Sequence, residues 1–271
     1  MIRKLILTAL ATVAFTAGSS FAQEVDPVIK DVPFSFDGPF GTYDQHQLQR
    51  GLQVYTEVCS ACHGMKLVAI RTLGDVGGPH LAADQVKAYA AAFPVNDTAS
   101  NPQYNDASGK TRALTPNDNF PANNMMGAPD MSVLAKARAA FHGPYKLGIN
   151  QLIHGIGGPQ YIVAILEGYT GKTKDVAGNT VYENDIFPGG WIQMPNTVLS
   201  DGQVTFADGA PNDKLSEAKD VAAFLMWAAE PKMMERKHAG FDGVFFLIIL
   251  TSLLYLTNKR IWAPMKGKKT A

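Results

Sequence analysis

The sequence predicts a mainly α-helical domain with long loops, followed by a single C-terminal transmembrane helix. Three observations carry this. Apolar residues recur at three- and four-residue steps in several short stretches, and segments rich in Gly, Pro, Asn and Asp separate them. Near the C-terminus an uncharged apolar run, Gly243 to Thr257, is followed at once by basic residues. With 271 residues, 46% hydrophobic and 18% charged, the chain is long enough for one sizeable core and too apolar for a disordered one.

The elements follow in chain order. Arg3 and Lys4 precede an uncharged stretch, Leu5 to Ala17, and Ser20-Phe21-Ala22 supplies small residues for cleavage. Residues 1–22 therefore read as a signal peptide whose removal leaves Gln23 first. Residues 24–45, rich in Pro, Asp and Phe, read as an extended lead-in. Leu48, Leu52, Tyr55 and Val58 or Cys59 recur at helical steps, with Arg50, Gln53 and Glu57 between them. This predicts a helix over 46–59. Further helices are expected at 82–92, 131–140, 160–168 and 214–229, with Asp84, Asp130 or Ser132, and Ser216 as caps. Residues 94–128 read as a long loop of the kind that wraps a cofactor or partner. Thr180-Val181-Tyr182 and Gln203-Val204-Thr205-Phe206 alternate in character and suggest a small hairpin.

The domain thus covers 23–240, the spanning helix 241–257 and a basic tail 258–271. Counted from Phe241, the apolar run rises roughly 25 Å, the low end for crossing a bilayer. Lys259, Arg260 and Trp262 follow it, the arrangement of a cytoplasmic membrane exit. Export by the signal peptide places the domain in the periplasm and the C-terminus in the cytoplasm, a single-pass protein of the inner membrane.

Basic and acidic residues number 24 each, which excludes a whole-chain basic surface for nucleic acid. The balance is uneven. Arg3 and Lys4 at one end, and Lys259, Arg260, Lys266, Lys268 and Lys269 at the other, have no acids beside them. The rest carries 17 basic against 24 acidic residues, a net of −7. An acidic exported domain suits a basic soluble partner.

Both cysteines fall in Cys59-Ser60-Ala61-Cys62-His63, so no disulfide exists elsewhere. Cys-x-x-Cys-His marks covalent attachment of a c-type haem. The two thiols add to the porphyrin vinyl groups, and the histidine supplies the proximal imidazole. A thioredoxin-type dithiol is the competing reading, but that motif opens a helix after a strand, whereas this one closes a helix. The sixth iron ligand is open on residue type alone. His46, His80, His142, His154 and His238 are candidates, as are Met125, Met126 and Met131. Met194 stands out in the Gly/Pro-rich loop Phe187-Pro188-Gly189-Gly190-Trp191-Ile192-Gln193-Met194-Pro195, because a thioether ligand raises the potential of an electron carrier. Met226, Met233 and Met234 fit a helical apolar face better.

Several motifs in order carry a family resemblance. They begin with Arg50-Gly51-Leu52-Gln53-Val54-Tyr55 leading into Val58-Cys59, then Val68-Ala69-Ile70-Arg71 with Leu73. Asn123-Asn124, Pro129-Asp130-Met131-Ser132, Lys136-Ala137-Arg138 and Tyr161-Ile162-Val163 follow. The Met194 loop comes next, and Asp220-Val221, Phe224-Leu225 and Trp227-Ala228-Ala229-Glu230-Pro231 lead into the apolar run. In these the chain resembles the cytochrome c1 family, the haem subunits of the cytochrome bc1 complex, of alphaproteobacterial type. The resemblance implies a mainly α, class I c-type cytochrome-like haem domain with one covalently bound haem c. It implies that Cys59 and Cys62 hold the haem and that His63 and Met194 are its axial ligands. Arg138 resembles the arginine that meets a haem propionate, and Asn123 and Tyr161 resemble haem-pocket residues. Residues 139–160 look like an insertion relative to shorter members.

The function implied is electron transfer within ubiquinol–cytochrome c reductase, from the Rieske iron–sulfur protein through the haem to a basic cytochrome c. Cytochrome b is the membrane partner, in a dimeric complex. The chain is then not catalytic alone. The alternative is a membrane-anchored monohaem subunit of another periplasmic dehydrogenase or oxidase.

Overall fold

The computed structural model describes residues 29–95, 112–138, 140 and 155–266. The expected signal peptide, His142, His154 and most of the 139–160 segment lie outside the described residues.

Helix α1, Gln45–Glu57, starts where Asp44 accepts the amides of His46 at 2.9 Å and Gln47 at 3.2 Å. Its buried face is Leu48, Gly51, Leu52, Val54 and Tyr55. The helix stops before the cysteines, and Cys59–Ala61 form a 3-10 turn. Helix α2, Ala83–Ala91, is short and begins at Ala82, whose amide is held by the Gln85 side chain at 2.9 Å. The expected cap Asp84 sits inside its first turn instead.

The helix expected over 131–140 shrinks to one turn, α3, Leu134–Ala137. Its would-be caps are engaged elsewhere. Asp130 accepts the amide of Lys66 at 3.0 Å, and Ser132 accepts that of Leu67 at 3.0 Å. Arg138 is already extended at φ −118° and ψ 146°, which ends the turn.

Helix α4, Gly158–Glu167, has Pro159 at its start and buries one face through Tyr161, Ile162, Val163 and Ile165. Strands β1 (Pro94–Val95) and β2 (Arg112–Ala113) pair antiparallel. Strands β3 (Tyr169–Val176), β4 (Asn179–Asn184) and β5 (Trp191–Ile192) form a meander in that order. The β3–β4 turn is Ala177-Gly178, at φ +50° and +82°, the left-handed pair of a type I′ hairpin. The hairpin expected from the sequence thus exists, but Val181 faces Lys174 rather than the 203–206 stretch. Val204 and Phe206 are buried in a loop instead, where they feed the core.

Helix α5, Lys214–Ala229, is capped by Asp213, which accepts the Ser216 amide at 3.1 Å. Ser216 therefore lies in the first turn, three residues after the cap. From Glu217 to Ala228 only Lys219 escapes burial, so α5 is the central rod of the domain. It crosses α1 where Gly51 has no side chain, and a Cβ there would lie 2.1 Å from the Asp220 carbonyl oxygen. Around the crossing pack Tyr55, Phe120, Phe224 and Trp227, with Tyr55–Phe120 edge-to-face at 5.9 Å. On the outer side of the crossing Arg50 bridges Asp220 at 2.7 Å and Asp208 at 2.9 Å.

Helix α6, Met233–Lys266, runs 34 residues. The expected span 241–257 is only its middle, and the basic tail is helical as far as Lys266. No Gly or Pro interrupts it after Gly243 until Pro264. None of its apolar window is buried, and its length and hydropathy suit a single membrane crossing. The chain is thus a mainly helical domain carrying one transmembrane anchor.

Candidate haem site

The Cys-x-x-Cys-His segment leaves α1 as a tight turn. The amides of Cys62 and His63 both bond back to the Cys59 carbonyl, at 3.1 and 3.0 Å. Both thiols are free, as haem attachment requires. Burial, and secondarily Cys62, pushes the Cys59 thiol up to about 12. A dithiol oxidoreductase needs the opposite, a nucleophile with a lowered pKa.

His63 is buried, and its Nδ1 lies 2.7 Å from the Pro129 carbonyl oxygen. A carbonyl only accepts, so Nδ1 carries the proton and Nε2 keeps its lone pair for a metal. Tyr55 donates its hydroxyl to the His63 carbonyl at 3.2 Å, fixing the backbone from the α1 side. The Gly64 amide donates to the Asn123 carbonyl at 2.8 Å, and a Cβ on Gly64 would sit 2.2 Å from the Asn123 nitrogen. Glycine is therefore required directly after the histidine.

Asn123 acts on this turn from outside. Its side-chain amide donates to the carbonyls of Ser60 at 3.0 Å and Ala61 at 2.9 Å, the two residues between the cysteines. Its Oδ1 accepts the Met125 amide at 3.2 Å. The resemblance gives Asn123 as a haem-pocket residue, and the geometry adds a clamp on the Cys59–Cys62 turn.

Met194 and Tyr161 come together through a second, smaller cluster, and Arg138 lies beside Tyr161. Ile29, Ala140, Tyr161 and Ile165 form the cluster, and Ile186, Phe187, Ile192 and Met194 pack against it half-buried. Burial raises the Tyr161 hydroxyl, while the adjacent Arg138 guanidinium hydrogen-bonds it and works the other way. Met194 is delivered by a rigid support. Asn184 is wholly buried, donates to the Ile165 carbonyl at 2.8 Å, and accepts the amides of Ile186 and Phe187 at 3.0 and 3.1 Å. Gly189 and Gly190, at φ +85° and +74°, then turn the chain into β5. Tyr169 donates to the Met194 carbonyl at 3.0 Å.

The competing ligands sort by position. Met131 lies in the main core with Met226 and Met233. Met125 and Met126 are 54% and 67% exposed, with the Met125 sulfur 4.0 Å from the Cys62 sulfur. His46, His80 and His238 are exposed, so His63 is the buried histidine among the described residues. No cluster of three or more His, Cys, Asp or Glu able to hold a metal exists among the described residues. An iron held by one imidazole, one thioether and a porphyrin needs no such cluster. The residues present fit a covalent c-type haem.

Residues 34–265 match the Cytochrome C1 family. The chain belongs to the cytochrome c1 family. A relative named cytochrome c1 from Cereibacter sphaeroides is 50% identical over 99% of both chains. One from Rhodobacter capsulatus is 44% identical over 98% of this chain and 99% of its own. A mitochondrial cytochrome c1 haem protein from Arabidopsis thaliana is 32% identical over 88% of this chain and 74% of its own. A protein named cytochrome b/c1 from Bradyrhizobium diazoefficiens is 41% identical over 85% of this chain, which spans 35% of that longer one. Cytochrome c1 proteins bind a covalent c-type haem and are the electron-transferring haem subunits of the cytochrome bc1 complex. Membership excludes the alternative of a haem subunit from an unrelated dehydrogenase or oxidase.

Sequence reasoning missed the supporting residues. Pro129 contributes through its carbonyl, and a backbone oxygen carries no residue signature. Tyr169 and Asn184 act through hydrogen bonds whose partners only the fold brings near.

Proposed function

We propose that Cys59 and Cys62 would hold a haem by thioethers and that His63 Nε2 and Met194 Sδ would ligate its iron. Arg138 faces a propionate, with Tyr161 beside it. Bound there, haem c supplies a one-electron iron couple. The observation that carries this reading is the 2.7 Å contact between His63 Nδ1 and the Pro129 carbonyl, which leaves Nε2 as the free ligand atom. The chain then accepts an electron from the Rieske iron–sulfur protein and passes it to a basic cytochrome c, drawn by the domain's acidic surplus. It does so in the periplasm beside cytochrome b in a dimeric complex, with its C-terminus in the cytoplasm. Pro129 and Tyr55 hold the imidazole side, and Tyr169 with the Asn184-pinned loop holds the thioether side. The buried His63 and the hydrogen-bonded support of the Met194 loop limit rearrangement as the charge changes.

The test is potentiometric titration of the reduced haem band in wild type and Met194→Leu. The variant is expected to fall steeply in potential and to bind carbon monoxide. Titration like wild type, without carbon monoxide binding, refutes Met194 as ligand.

A further inference from the structure

The turn at Phe34–Thr42 lies against the root of the membrane helix and is held rigidly there. Within it, the Phe34 amide donates to the Asp37 carboxylate at 2.8 Å, and the Asp37 amide to the Phe34 carbonyl at 3.1 Å. Gly38 takes φ +68°, and a Cβ on Gly41 would meet the Asp37 carbonyl at 2.1 Å. The turn is bound at two levels, to α6 and to the link that precedes it. Lys237 donates its ammonium to the carbonyls of Phe36 at 2.6 Å and Gly41 at 3.0 Å. Tyr43 donates its hydroxyl to the Glu230 carbonyl at 3.3 Å. A lysine one turn before a membrane entry ordinarily reaches for water or headgroups. Here its charge is spent on the turn.

Beyond Lys237 the turn presents one large side chain. Phe40 is 77% exposed, and its ring meets Phe241 edge-on at 6.0 Å between centroids. Phe241 opens the apolar segment, and Trp262, also exposed, lies beyond its far end, just past Lys259 and Arg260. The rise from Phe241 to Trp262 is about 32 Å, close to the hydrocarbon thickness of a bilayer. Aromatic rings at these two heights fit the two interfaces of one membrane.

We infer that the 37–41 turn is a second membrane contact, with Phe40 seated in the lipid interface beside Phe241. The occupant is lipid because Phe40 continues the lipid-facing surface of α6 at the height where that surface begins. A helix alone lets a domain rotate about the helix axis. A second contact off that axis stops the rotation and sets which way the haem domain faces. This inference rests on the reading of α6 as a membrane span.

The test uses the full-length holoprotein in phosphatidylcholine vesicles, with Cys59 and Cys62 consumed as thioethers. Nitroxide labels are placed singly through Phe40→Cys, Leu250→Cys in the middle of α6, and Val176→Cys on the exposed β3 end. Relaxation by oxygen, which partitions into lipid, is compared with relaxation by a water-soluble nickel chelate. The Phe40 label is expected to show an oxygen-to-nickel ratio several-fold above the Val176 label and on the side of Leu250. A Phe40 ratio equal to that of Val176, with Leu250 in lipid, overturns the inference and leaves the span intact. Shielding of the Phe40 label from both reagents means that protein covers it, and overturns it too. Nickel access at Leu250 overturns the span and the inference together.

Discussion

Replacing Gly51 with alanine sets two effects of opposite sign against each other. Gly51 lies inside α1, where alanine is the better helix former by about 1 kcal/mol. Local propensity alone therefore predicts a more stable protein. The added methyl, however, would sit 2.1 Å from the Asp220 carbonyl oxygen, 2.6 Å from Phe224 Cβ and 2.7 Å from the Asp220 carbonyl carbon. Two of these three atoms are backbone, so no rotamer change relieves the clash. Ordinary contact needs α1 and α5 to part by about 1 Å along a fully packed crossing. Gaps of that size forfeit a quarter to a half of each dispersion contact lining them, and overpacking of one methyl in a core costs about 1–3 kcal/mol. The clash is to backbone, which places the cost at the top of that range, so a net loss of about 2 kcal/mol is expected after the propensity gain. The assay is denaturant unfolding of detergent-solubilised, haem-loaded protein, followed by helical circular dichroism. Gly240→Ala is the control, because a Cβ there meets nothing within 4 Å. Gly51→Ala with a midpoint at or above wild type would refute the account of the crossing.

Asn123→Ala removes two hydrogen bonds to the carbonyls of Ser60 and Ala61. A loss of about 1–3 kcal/mol is expected, with a lower yield of covalently attached haem, read from haem stain per unit of protein. Tyr169→Phe deletes the donor to the Met194 carbonyl and should lower stability by about 1 kcal/mol, with weak carbon monoxide binding by the reduced protein as the spectral sign of a loosened loop. Glu217 is fully buried, accepts the Val204 amide at 2.8 Å through Oε1 and has no partner for Oε2. Burial first, then Asp201, Asp213 and Asp220, raise its carboxyl above the usual range. Its protonated form is therefore favoured by folding, so stability is highest below the unfolded pKa and declines as pH rises through the folded one. Glu217→Gln should flatten that decline in thermal midpoints as pH rises above the ordinary glutamate pKa of about 4.3, and an unchanged slope would contradict it. Glu230 behaves oppositely. Burial disfavours its ionisation, but Arg236 and Lys136 outweigh that and hold its carboxyl low, so its contribution is lost as pH falls. Glu230→Gln should remove that acid-side loss in the same thermal midpoints.

The parts legible in the sequence were those that local chemistry decides. Cys59, Cys62 and His63 are adjacent in the chain, and their spacing is itself the signal. The α1 face needed only the steps between Leu48, Leu52 and Tyr55, and α5 needed only its apolar length. The membrane helix announced itself by composition, although its ends did not, because helix continues until something breaks it and Pro264 comes late. What the sequence misplaced was decided by distant partners. Asp130 and Ser132 have the side chains of caps, yet the loop after His63 presents amides that they satisfy, and the helix expected there collapses to one turn. Gln203 to Phe206 alternates like a strand, but burying Val204 and Phe206 beside α5 outcompetes pairing. The clamp that Asn123 forms was not legible, since its reach to Ser60 and Ala61 exists only once the chain has folded back.

The Gly51 crossing also bears on the order of events during synthesis. The attachment turn lies in the first quarter of the chain, while α5, against which α1 buries its face, is made some 150 residues later. Arg50 and Asp220 stand 170 positions apart. Contacts of such separation form late, because loop closure must come before they stabilise anything. Until α5 is made, α1 lacks the main partner of its buried face, and only earlier residues such as Phe120 can pack on it. Under the proposed attachment at Cys59 and Cys62, haem joined at that stage would belong to the chain before the α1–α5 core closes, an apolar group already carried when α5 arrives.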